Sequence, residues 1–284
     1  MLQLITKNFS LHHTLSCGQT FCWKQLPASA SWQWQGYIYD IPCLARQVGN
    51  VIIFEGSAEL DEALVRRYFN LTPAWDQILS SLPDDSWLNQ ARKEVAGLRC
   101  VHEPWWECTA NFICSSLKQI PQIEQINQNL RSRFGQVISG TSFYRFPSAE
   151  TLATLSEKDL RDCKLGYRAK HLFRAAHQVS HGAISWNSLE QMPLQQASCE
   201  LQKLAGVGEK VAHCILLYAG NHLDAFPFDV WVFRLMHELY YPKRRVMPDQ
   251  KTMDRKAQKL FGATRGIAQH YLFHWYRTCY MKSR

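Results

Sequence analysis

The sequence predicts an α+β fold in which an antiparallel β-sheet domain with helices packs on a mostly α-helical domain. Residues 1–56 hold short aromatic and β-branched runs separated by turn residues, a pattern typical of strands. From residue 103 onward, apolar residues recur at helical spacing and no strand is predicted. We therefore predict two domains, residues 1–103 and 104–284, with the boundary at this change of pattern.

The elements of the first domain follow from alternation and from turn and cap residues. Trp32 and Trp34 alternate with polar residues, and the turn at Gly49 and Asn50 precedes the run VIIFEG. Ser57 is a residue type favoured at helix N-caps and predicts a helix directly after it. Strands are predicted within residues 14–23, 31–40 and 51–56, and helices over residues 58–69, 73–82 and 86–98.

The second domain is predicted to consist of consecutive helices. Ser148 and Ser156 each precede a periodic apolar run and predict N-caps, whereas Gly135 predicts a helix end. The predicted helices cover residues 105–120, 121–135, 147–155, 156–165, 167–180, 211–219, 230–236, 249–261 and 264–280, and a further helix lies directly before residue 206.

Charge and cysteine content narrow the class of protein. The chain has 284 residues, with 32 Lys and Arg against 24 Asp and Glu, a net charge of +8 that suits a polyanionic partner. No apolar run approaches the roughly 20 residues that a membrane helix needs, and no secretory signal is recognisable. None of the ten cysteines forms a C-x-x-C pair, so we expect neither disulfides nor a zinc site.

The stretch from residue 201 to residue 229 carries the most chemical information. Helical runs flank a Gly206-Val207-Gly208 turn, and this arrangement predicts a helix-hairpin-helix. The glycines allow another surface to approach closely, and the unpaired amides that open the second helix can bind a phosphate. On the first helix, Cys199, Leu201 and Leu204 are predicted to be buried.

Three polar residues follow this turn at informative positions. Lys210 falls in the first turn of the second helix, where the helix dipole disfavours a cation. Such a lysine suits either a phosphate contact or nucleophilic attack, and the residues alone leave both roles open. Cys214 lies four residues later on the same helix face, and Asp229 stands at the N-cap of the next helix.

The motif Gly-Val-Gly-x-Lys, followed by Pro-x-Asp, resembles the helix-hairpin-helix–GPD superfamily of DNA glycosylases. The pairing of Lys210 with Asp229 is similar to that of its bifunctional members. Further blocks, in order along nearly the whole chain, resemble 8-oxoguanine DNA glycosylases. These blocks are residues 16–21, 65–70, 112–116, 165–169 and 269–273.

The resemblance implies a catalytic pair. Lys210 would attack C1′ of the damaged nucleotide, displace the base and form a Schiff base from which the 3′-phosphate is eliminated. Asp229 would stabilise positive charge on the sugar and assist proton transfer. The alternatives are a phosphate-contacting surface lysine and a plain helix N-cap, and the cap is compatible with the catalytic role.

The resemblance also implies a pocket for the extruded base. The carbonyl of Gly18 would accept the hydrogen that 8-oxoguanine carries on N7, and it would repel guanine. Cys214 and Phe273 would stack on the two faces of the base, and Gln269 would meet its Watson–Crick edge. The alternatives are a strand bend at Gly18, core packing for Cys214 and Phe273, and a solvated helix face for Gln269.

Contacts with the surrounding DNA are implied for five residues. Gly206 and Gly208 would bind the backbone at the hairpin. Leu117 would fill the gap left by the base, and Tyr167 and Arg168 would act as a wedge and as a contact to the orphaned base.

The sequence departs from well-known 8-oxoguanine glycosylases at two places. Leu117, Lys118 and Gln119, with Gln122 a turn later, stand where those proteins have asparagines and an arginine that reads the opposite cytosine. Trp231 stands where they have a histidine near a phosphate. From the first departure we predict relaxed selectivity for the opposite base, and from Trp231 a change in turnover or phosphate contact; neither removes the catalytic pair.

Together these observations predict a bifunctional DNA glycosylase/AP lyase that excises 8-oxoguanine in base excision repair. Its predicted partner is duplex DNA with a damaged guanine, and we expect a monomer without membrane association, in a bacterial cytoplasm with the nucleoid or in a eukaryotic nucleus. No metal or other cofactor is expected, apart from a structural monovalent cation on the hairpin carbonyls that the resemblance implies.

Two alternatives remain. A glycosylase for alkylated or other oxidised bases would differ in the pocket, mainly at Gly18 and Gln269. A non-catalytic module that binds damaged DNA would not need Lys210 together with Asp229, so the presence of this pair argues against it.

Overall fold

A five-stranded antiparallel sheet organises the N-terminal part of the computed structural model, which describes residues 1–282. The strand order is β1-β5-β4-β3-β2, and Leu4 pairs with Ile52 while Ala45 pairs with Phe54. The predicted antiparallel sheet is therefore confirmed. The strands are β1 (Leu2–Ile5), β2 (Lys24–Gln25), β3 (Trp34–Ile38), β4 (Ile41–Val48) and β5 (Val51–Gly56).

The prediction of a strand within residues 14–23 is wrong. Helix α1 (Leu11–Ser16) covers the first residues of this segment. Ser10 caps the helix by accepting a hydrogen bond from the amide of His13, and Leu11 and Leu15 are buried one turn apart. The residues after α1 form an irregular loop with Gly18 at φ +89°. The apolar run that suggested a strand is thus a short buried helix followed by a loop.

Three helices, α2 (Glu62–Tyr68), α3 (Pro73–Ser80) and α4 (Ser86–Glu94), follow the sheet. The predicted cap at Ser57 is wrong, because Asp61 accepts from the amide of Leu64 and sets the start of α2 four residues later.

The C-terminal part is helical, as predicted. Its helices are α5 (Trp105–Cys114), α6 (Ile120–Phe134), α7 (Ala149–Ala153), α8 (Glu157–Leu160), α9 (Arg168–Ser180), α10 (Trp186–Gln191), α11 (Leu194–Leu201), α12 (Glu209–Tyr218), α13 (Val230–Tyr240), α14 (Gln250–Phe261) and α15 (Arg265–Thr278), and a π-helical turn (Arg161–Leu165) continues α8.

Two details of this part differ from the predictions. The helix predicted over residues 105–120 ends at Cys114, and a loop with Leu117 at φ +55° separates α5 from α6. Cys199 is exposed rather than buried, whereas Leu201 and Leu204 are buried as predicted. The predicted caps at Ser148 and Ser156 are confirmed, since each side chain accepts the amide three residues later.

The two domains share contacts across the predicted boundary. Arg131 on α6 donates two hydrogen bonds of 2.7 Å to Glu107 and one of 3.1 Å to Asp40 at the end of the β3–β4 turn. Leu88 and Leu98 belong to the same hydrophobic core as α12 and α15. Helix α4 therefore packs with the helical domain, although it precedes residue 103.

The described cysteine thiols are all free, and most of them are buried. Among residues 1–282, no helix has the length and apolar character required to cross a membrane.

Candidate active site

The hairpin turn between α11 and α12 presents backbone to the solvent. Gly206 adopts φ +83°, and a Cβ atom there would lie 2.7 Å from Cβ of His171, so only glycine fits. Gly208 is the N-cap of α12 and makes no side-chain cap, and nothing lies within 4 Å of a Cβ atom added there. The amides at the start of α12 therefore face open space, as an anion site at a helix N-terminus requires.

Lys210, Cys214 and Asp229 come together at the first turns of α12 and α13. Burial raises the pKa of the Cys214 thiol, whereas the charge of Lys210 and its hydrogen bond to the thiol lower it, and the charge of Asp229 raises it. Lys210 and Asp229 therefore both lie close enough to the Cys214 thiol to act on it. Lys210 is half-buried, and its Nζ atom lies 5.4 Å from the ring centroid of Phe112.

Asp229 combines two features at this position. Its Oδ1 atom accepts the amide of Val232 at 2.8 Å, so the predicted N-cap of α13 is confirmed. The side chain remains half-buried rather than enclosed, and its charge acts on both Cys214 and Arg277. A capping carboxylate therefore lies at the same site as the lysine.

Helix α15 brings further side chains toward the same site. Gln269 is only 4% exposed, and its Oε1 atom is buried without a hydrogen-bond partner among residues 1–282. Such an acceptor costs about 1–3 kcal/mol unless a ligand or water satisfies it. Phe273, one turn later, is half-buried, and the guanidinium of Arg277 lies 5.0 Å from its ring centroid.

Gly18 lies in the loop after α1, adjacent to α15. The thiol of Cys17 is 3.9 Å from Nε2 of His270, the residue that follows Gln269. Gln19 is buried and fixes the loop, because its amide donates to the carbonyls of Thr14 and Arg99, both at 2.8 Å. Gly18 thus lies between a residue that is fixed by two hydrogen bonds, Gln19, and a residue, Cys17, that contacts the neighbour of Gln269.

Comparison with models of known protein families gives two matches. Residues 1–109 match the model of the 8-oxoguanine DNA glycosylase N-terminal domain. A second covers residues 110–263, more than half of the chain, and corresponds to the HhH-GPD superfamily of base excision DNA repair proteins. The chain belongs to the HhH-GPD superfamily. The resemblance stated from the hairpin motif is thereby confirmed.

Named relatives agree with this family. The chain is 29% identical to the N-glycosylase/DNA lyase OGG1 of Arabidopsis thaliana over 255 residues, which are 85% of this chain and 69% of that protein. The fold is similar to MBOgg1 in complex with a low-affinity DNA ligand, with a TM-score of 0.87, 31% identity and coverage of 96% and 93% of the two chains. It is also similar to the 8-oxoguanine glycosylase/lyase of Clostridium acetobutylicum in complex with duplex DNA containing cytosine opposite 8-oxoguanine, with a TM-score of 0.85, 26% identity and coverage of 98% of both chains.

The surface beside the site of this HhH-GPD protein carries an apolar projection. Leu117 is 91% exposed and has a left-handed φ of +55°, both unusual for leucine. Tyr167 is 52% exposed. The guanidinium of Arg168 donates to the carbonyls of Leu165 and Ser116 and lies 4.3 Å from the centroid of the Tyr167 ring.

These contacts change the interpretation of Arg168. The sequence predicts a contact to the orphaned base, but the residue is only 6% exposed and its guanidinium donates to main-chain carbonyls. In this structure it joins the loop that carries Leu117 to the loop that carries Tyr167. Its contact with DNA stays a prediction.

The two departures from the family have structural counterparts. Gln122 accepts from the amide of Gln119 at 3.1 Å and so forms the capping box of α6. The ring of Trp231 lies beneath two guanidinium groups, with centroid distances of 5.4 Å to Arg234 and 5.8 Å to Arg277. The sequence reasoning missed Arg277, although its spacing of four residues from Phe273 on a helix was a usable signal.

One group of residues within 1–282 has the spacing of a metal site. Ligand atoms of Cys22, Glu103 and Glu107 lie within 4.8 Å of one another. Arg131 already binds both oxygens of Glu107 at 2.7 Å, and the Tyr68 hydroxyl donates to Glu103 at 2.5 Å. These carboxylates are therefore satisfied by protein donors.

Proposed function

We propose that this chain is a DNA glycosylase/lyase that removes 8-oxoguanine from duplex DNA in base excision repair. The observation that carries the proposal is the convergence of Lys210 and Asp229 at the starts of α12 and α13, and the buried, unpartnered amide oxygen of Gln269 on α15 adds to it. A nucleophile and a carboxylate suit attack on a sugar, and the unpartnered oxygen suits a base with hydrogen-bond donors on its edge. The names of the relatives support the same activity.

In the proposed reaction, the neutral amine of Lys210 forms a bond to C1′ while the C1′–N9 bond breaks. The base leaves with the electron pair and takes up a proton. The amine then loses a proton, the C1′–O4′ bond breaks with its electron pair on O4′, which takes up a proton, and a Schiff base forms that makes the C2′ hydrogen acidic. Removal of that hydrogen as a proton breaks the C3′–O bond, and the 3′-phosphate departs. The carboxylate of Asp229 stabilises the positive charge that develops on the sugar.

Recognition of the base is assigned to four residues. Gly18 directs its carbonyl at the N7 hydrogen of 8-oxoguanine, and Gln269 meets the Watson–Crick edge. Cys214 and Phe273 cover the two faces of the base. The rigid loop around Gly18 supports this assignment, because a fixed acceptor cannot turn away from the lone pair of guanine.

Binding of the duplex is assigned to the hairpin and to the exposed loops. Gly206 and Gly208 contact the backbone, and Leu117 and Tyr167 occupy the space that the base vacates. The capping box that engages Gln122 supports relaxed selectivity for the opposite base, since this side chain is occupied within α6.

Three further assignments complete the proposal. The enzyme acts as a monomer where the cell keeps its DNA, in a bacterial cytoplasm or a eukaryotic nucleus. It needs no metal or cofactor for the reaction. A structural monovalent cation binds the carbonyls of the hairpin.

The test is borohydride trapping on duplexes that carry one 8-oxoguanine opposite each of the four bases. We expect a covalent adduct with the wild-type chain, no adduct with Lys210→Gln, and similar yields opposite all four bases. Lys203→Gln is the matched control, because Lys203 lies in the same hairpin but forms an exposed ion pair with Glu200 at 2.6 Å. Its adduct should equal that of the wild type.

Each other outcome corrects a defined part of the proposal. Released base without an adduct would mean that water attacks the sugar and that Lys210 is a contact only. Neither adduct nor released base would contradict the 8-oxoguanine assignment and favour alkylated bases or a binding module. Strong dependence on the opposite base would contradict relaxed selectivity.

A further inference from the structure

Arg277 lies at the edge of the proposed base pocket. It takes part neither in the proposed reaction nor in the proposed binding of the base. It follows Phe273 by one turn of α15, and its guanidinium lies 5.0 Å from the centroid of that ring and 5.8 Å from the centroid of Trp231. Burial lowers its pKa, and the charges of Cys17 and Asp229 act in the opposite direction. The guanidinium is therefore half-buried between two aromatic rings and close to Asp229.

The hydrogen bonding of Arg277 differs from that of the other arginines that the structure buries wholly or partly. Within residues 1–282, Arg277 makes no hydrogen bond and no ion pair, and none of its nitrogens is both fully buried and unpartnered. The guanidinium nitrogens therefore keep some exposure, and their donors are free to bind an incoming anion. By contrast, carboxylates or carbonyls accept from Arg46, Arg66, Arg92, Arg99, Arg131, Arg168 and Arg265.

We propose that Arg277 binds a phosphodiester that flanks the extruded nucleotide. The inference rests on the proposed function, which places the sugar at Lys210 and Asp229 and the base against Phe273. A phosphate attached to that sugar is the anion that comes nearest to a guanidinium beside both groups. Cation–π contacts with Phe273 and Trp231 hold the planar group ready, so little side-chain entropy is lost on binding.

The contact should form only when a nucleotide enters the pocket, and salt dependence tests this condition. Affinity is measured at several salt concentrations for an undamaged duplex and for a duplex with a tetrahydrofuran abasic-site analogue, both in the Lys210→Gln background. Arg277→Gln should weaken binding to the abasic duplex about tenfold. It should also reduce the slope of log K against log salt by about 0.9 for that duplex and leave the undamaged duplex unchanged.

Arg234→Gln is the matched control. Arg234 carries the same charge and also lies over Trp231, at 5.4 Å, but it is exposed on α13. Its loss should affect both duplexes equally. Equal changes on both duplexes with Arg277→Gln would overturn the proposal, because they would show only a loss of overall charge.

Neutral methylphosphonate linkages identify the phosphate. One neutral linkage, either 5′ or 3′ of the abasic analogue, should weaken the chain that keeps Arg277 and leave Arg277→Gln unaffected. If every neutral linkage weakens both chains by the same factor, the proposal is wrong. Arg277→Lys, which keeps the charge but not the planar guanidinium, should keep the wild-type salt slope and bind the abasic duplex more weakly, and urea unfolding checks that each variant is folded.

Failure of this inference is distinguishable from failure of the proposed function. If the wild-type chain forms no borohydride adduct and releases no base, the proposed function fails first. If it forms the adduct and Arg277→Gln binds the abasic duplex with an unchanged salt slope, only the role of Arg277 is wrong.

Discussion

Gly18 packs so closely against Ile120 that a Cβ atom on the glycine would lie 2.6 Å from Cδ1 of the isoleucine. Ile120 is the first residue of α6 and directly follows the loop that carries Leu117. The loop proposed to recognise the damaged base therefore contacts the segment proposed to fill the gap in the duplex. Gly18 also has φ +89°, which an L-residue rarely adopts, so the backbone favours glycine there, and a side chain at this position would displace that of Ile120.

We predict that Gly18→Ala destabilises the protein and weakens discrimination between 8-oxoguanine and guanine. The left-handed backbone costs about 1–2 kcal/mol for alanine, and the clash with Ile120 adds about 1–3 kcal/mol or moves the loop. Urea unfolding gives the free energy, and excision rates on the two bases give the discrimination.

Gly140→Ala isolates the backbone cost. Gly140 has φ +74°, but nothing lies within 4 Å of an added Cβ atom. This control should cost about 1–2 kcal/mol with unchanged discrimination. If Gly18→Ala costs no more than the control and keeps its discrimination, the contact with Ile120 has no role in base recognition.

The two roles of Asp229 can be separated by substitution. Asn caps helices about as well as Asp, so Asp229→Asn should keep the free energy of unfolding within about 0.5 kcal/mol while excision slows at least tenfold. Asp229→Ala should lose the cap as well and cost about 1 kcal/mol. Asp249→Asn is the control, because Asp249 caps α14 in the same way at 2.7 Å. Normal excision by Asp229→Asn would reduce Asp229 to a helix cap.

The sequence predicts correctly those features that residues within one turn determine. Ser148, Ser156 and Asp229 each cap a helix through the amide three residues later, so the signal lies within one turn. The hairpin is equally local, because its turn requires glycine at Gly206.

The errors arise where distant residues decide the conformation. The segment after Ser10 is a helix because it packs under the sheet, and short apolar runs do not distinguish a strand from a buried helix. The guanidinium of Arg168 is directed by Ser116, 52 residues away, and that of Arg277 by Trp231 on α13 as well as by Phe273 one turn before it. No local pattern encodes the contacts with Ser116 and Trp231.

We predict that Leu117 lowers the stability of the protein and speeds excision from duplex DNA. Its left-handed φ of +55° means that the backbone is strained, and its 91% exposure means that the side chain adds little packing. Leu117→Gly should therefore raise the free energy of unfolding by about 1 kcal/mol and slow excision from duplex DNA.

A comparison with single-stranded substrate sharpens this test. Excision of an 8-oxoguanine in single-stranded DNA leaves no gap to fill, so Leu117→Gly should match the wild type there. Lys164→Gly relieves a similar φ of +69° in the π-helical turn and should gain stability without slowing excision. Equal slowing on both substrates would indicate a general loss of binding rather than a missing gap filler.

Glu103 gives the protein a pH-dependent stability. The side chain is 2% exposed, and burial, together with the charge of Glu107, raises its pKa from 4.5 to about 7 despite opposing hydrogen bonds from Tyr68 and Thr20 and the charge of Arg131. Between these two pKa values the folded state holds a proton that the unfolded state releases. The contribution of Glu103 to the free energy of unfolding therefore falls as pH rises from about 4.5 to 7, and it does not change further above pH 7.

We predict that Glu103→Gln removes this dependence. Glutamine still accepts from the Tyr68 hydroxyl, now 2.5 Å from Glu103, but it carries no charge to desolvate. Relative to the wild type, the variant should gain about 1.4 kcal/mol per pH unit across the window, reaching roughly 3 kcal/mol above pH 7. Urea unfolding at half-unit steps from pH 4.5 to 8 measures the difference, with exposed Glu59→Gln as the baseline. A difference that does not change with pH would show that Glu103 is already ionised in the folded protein throughout this range.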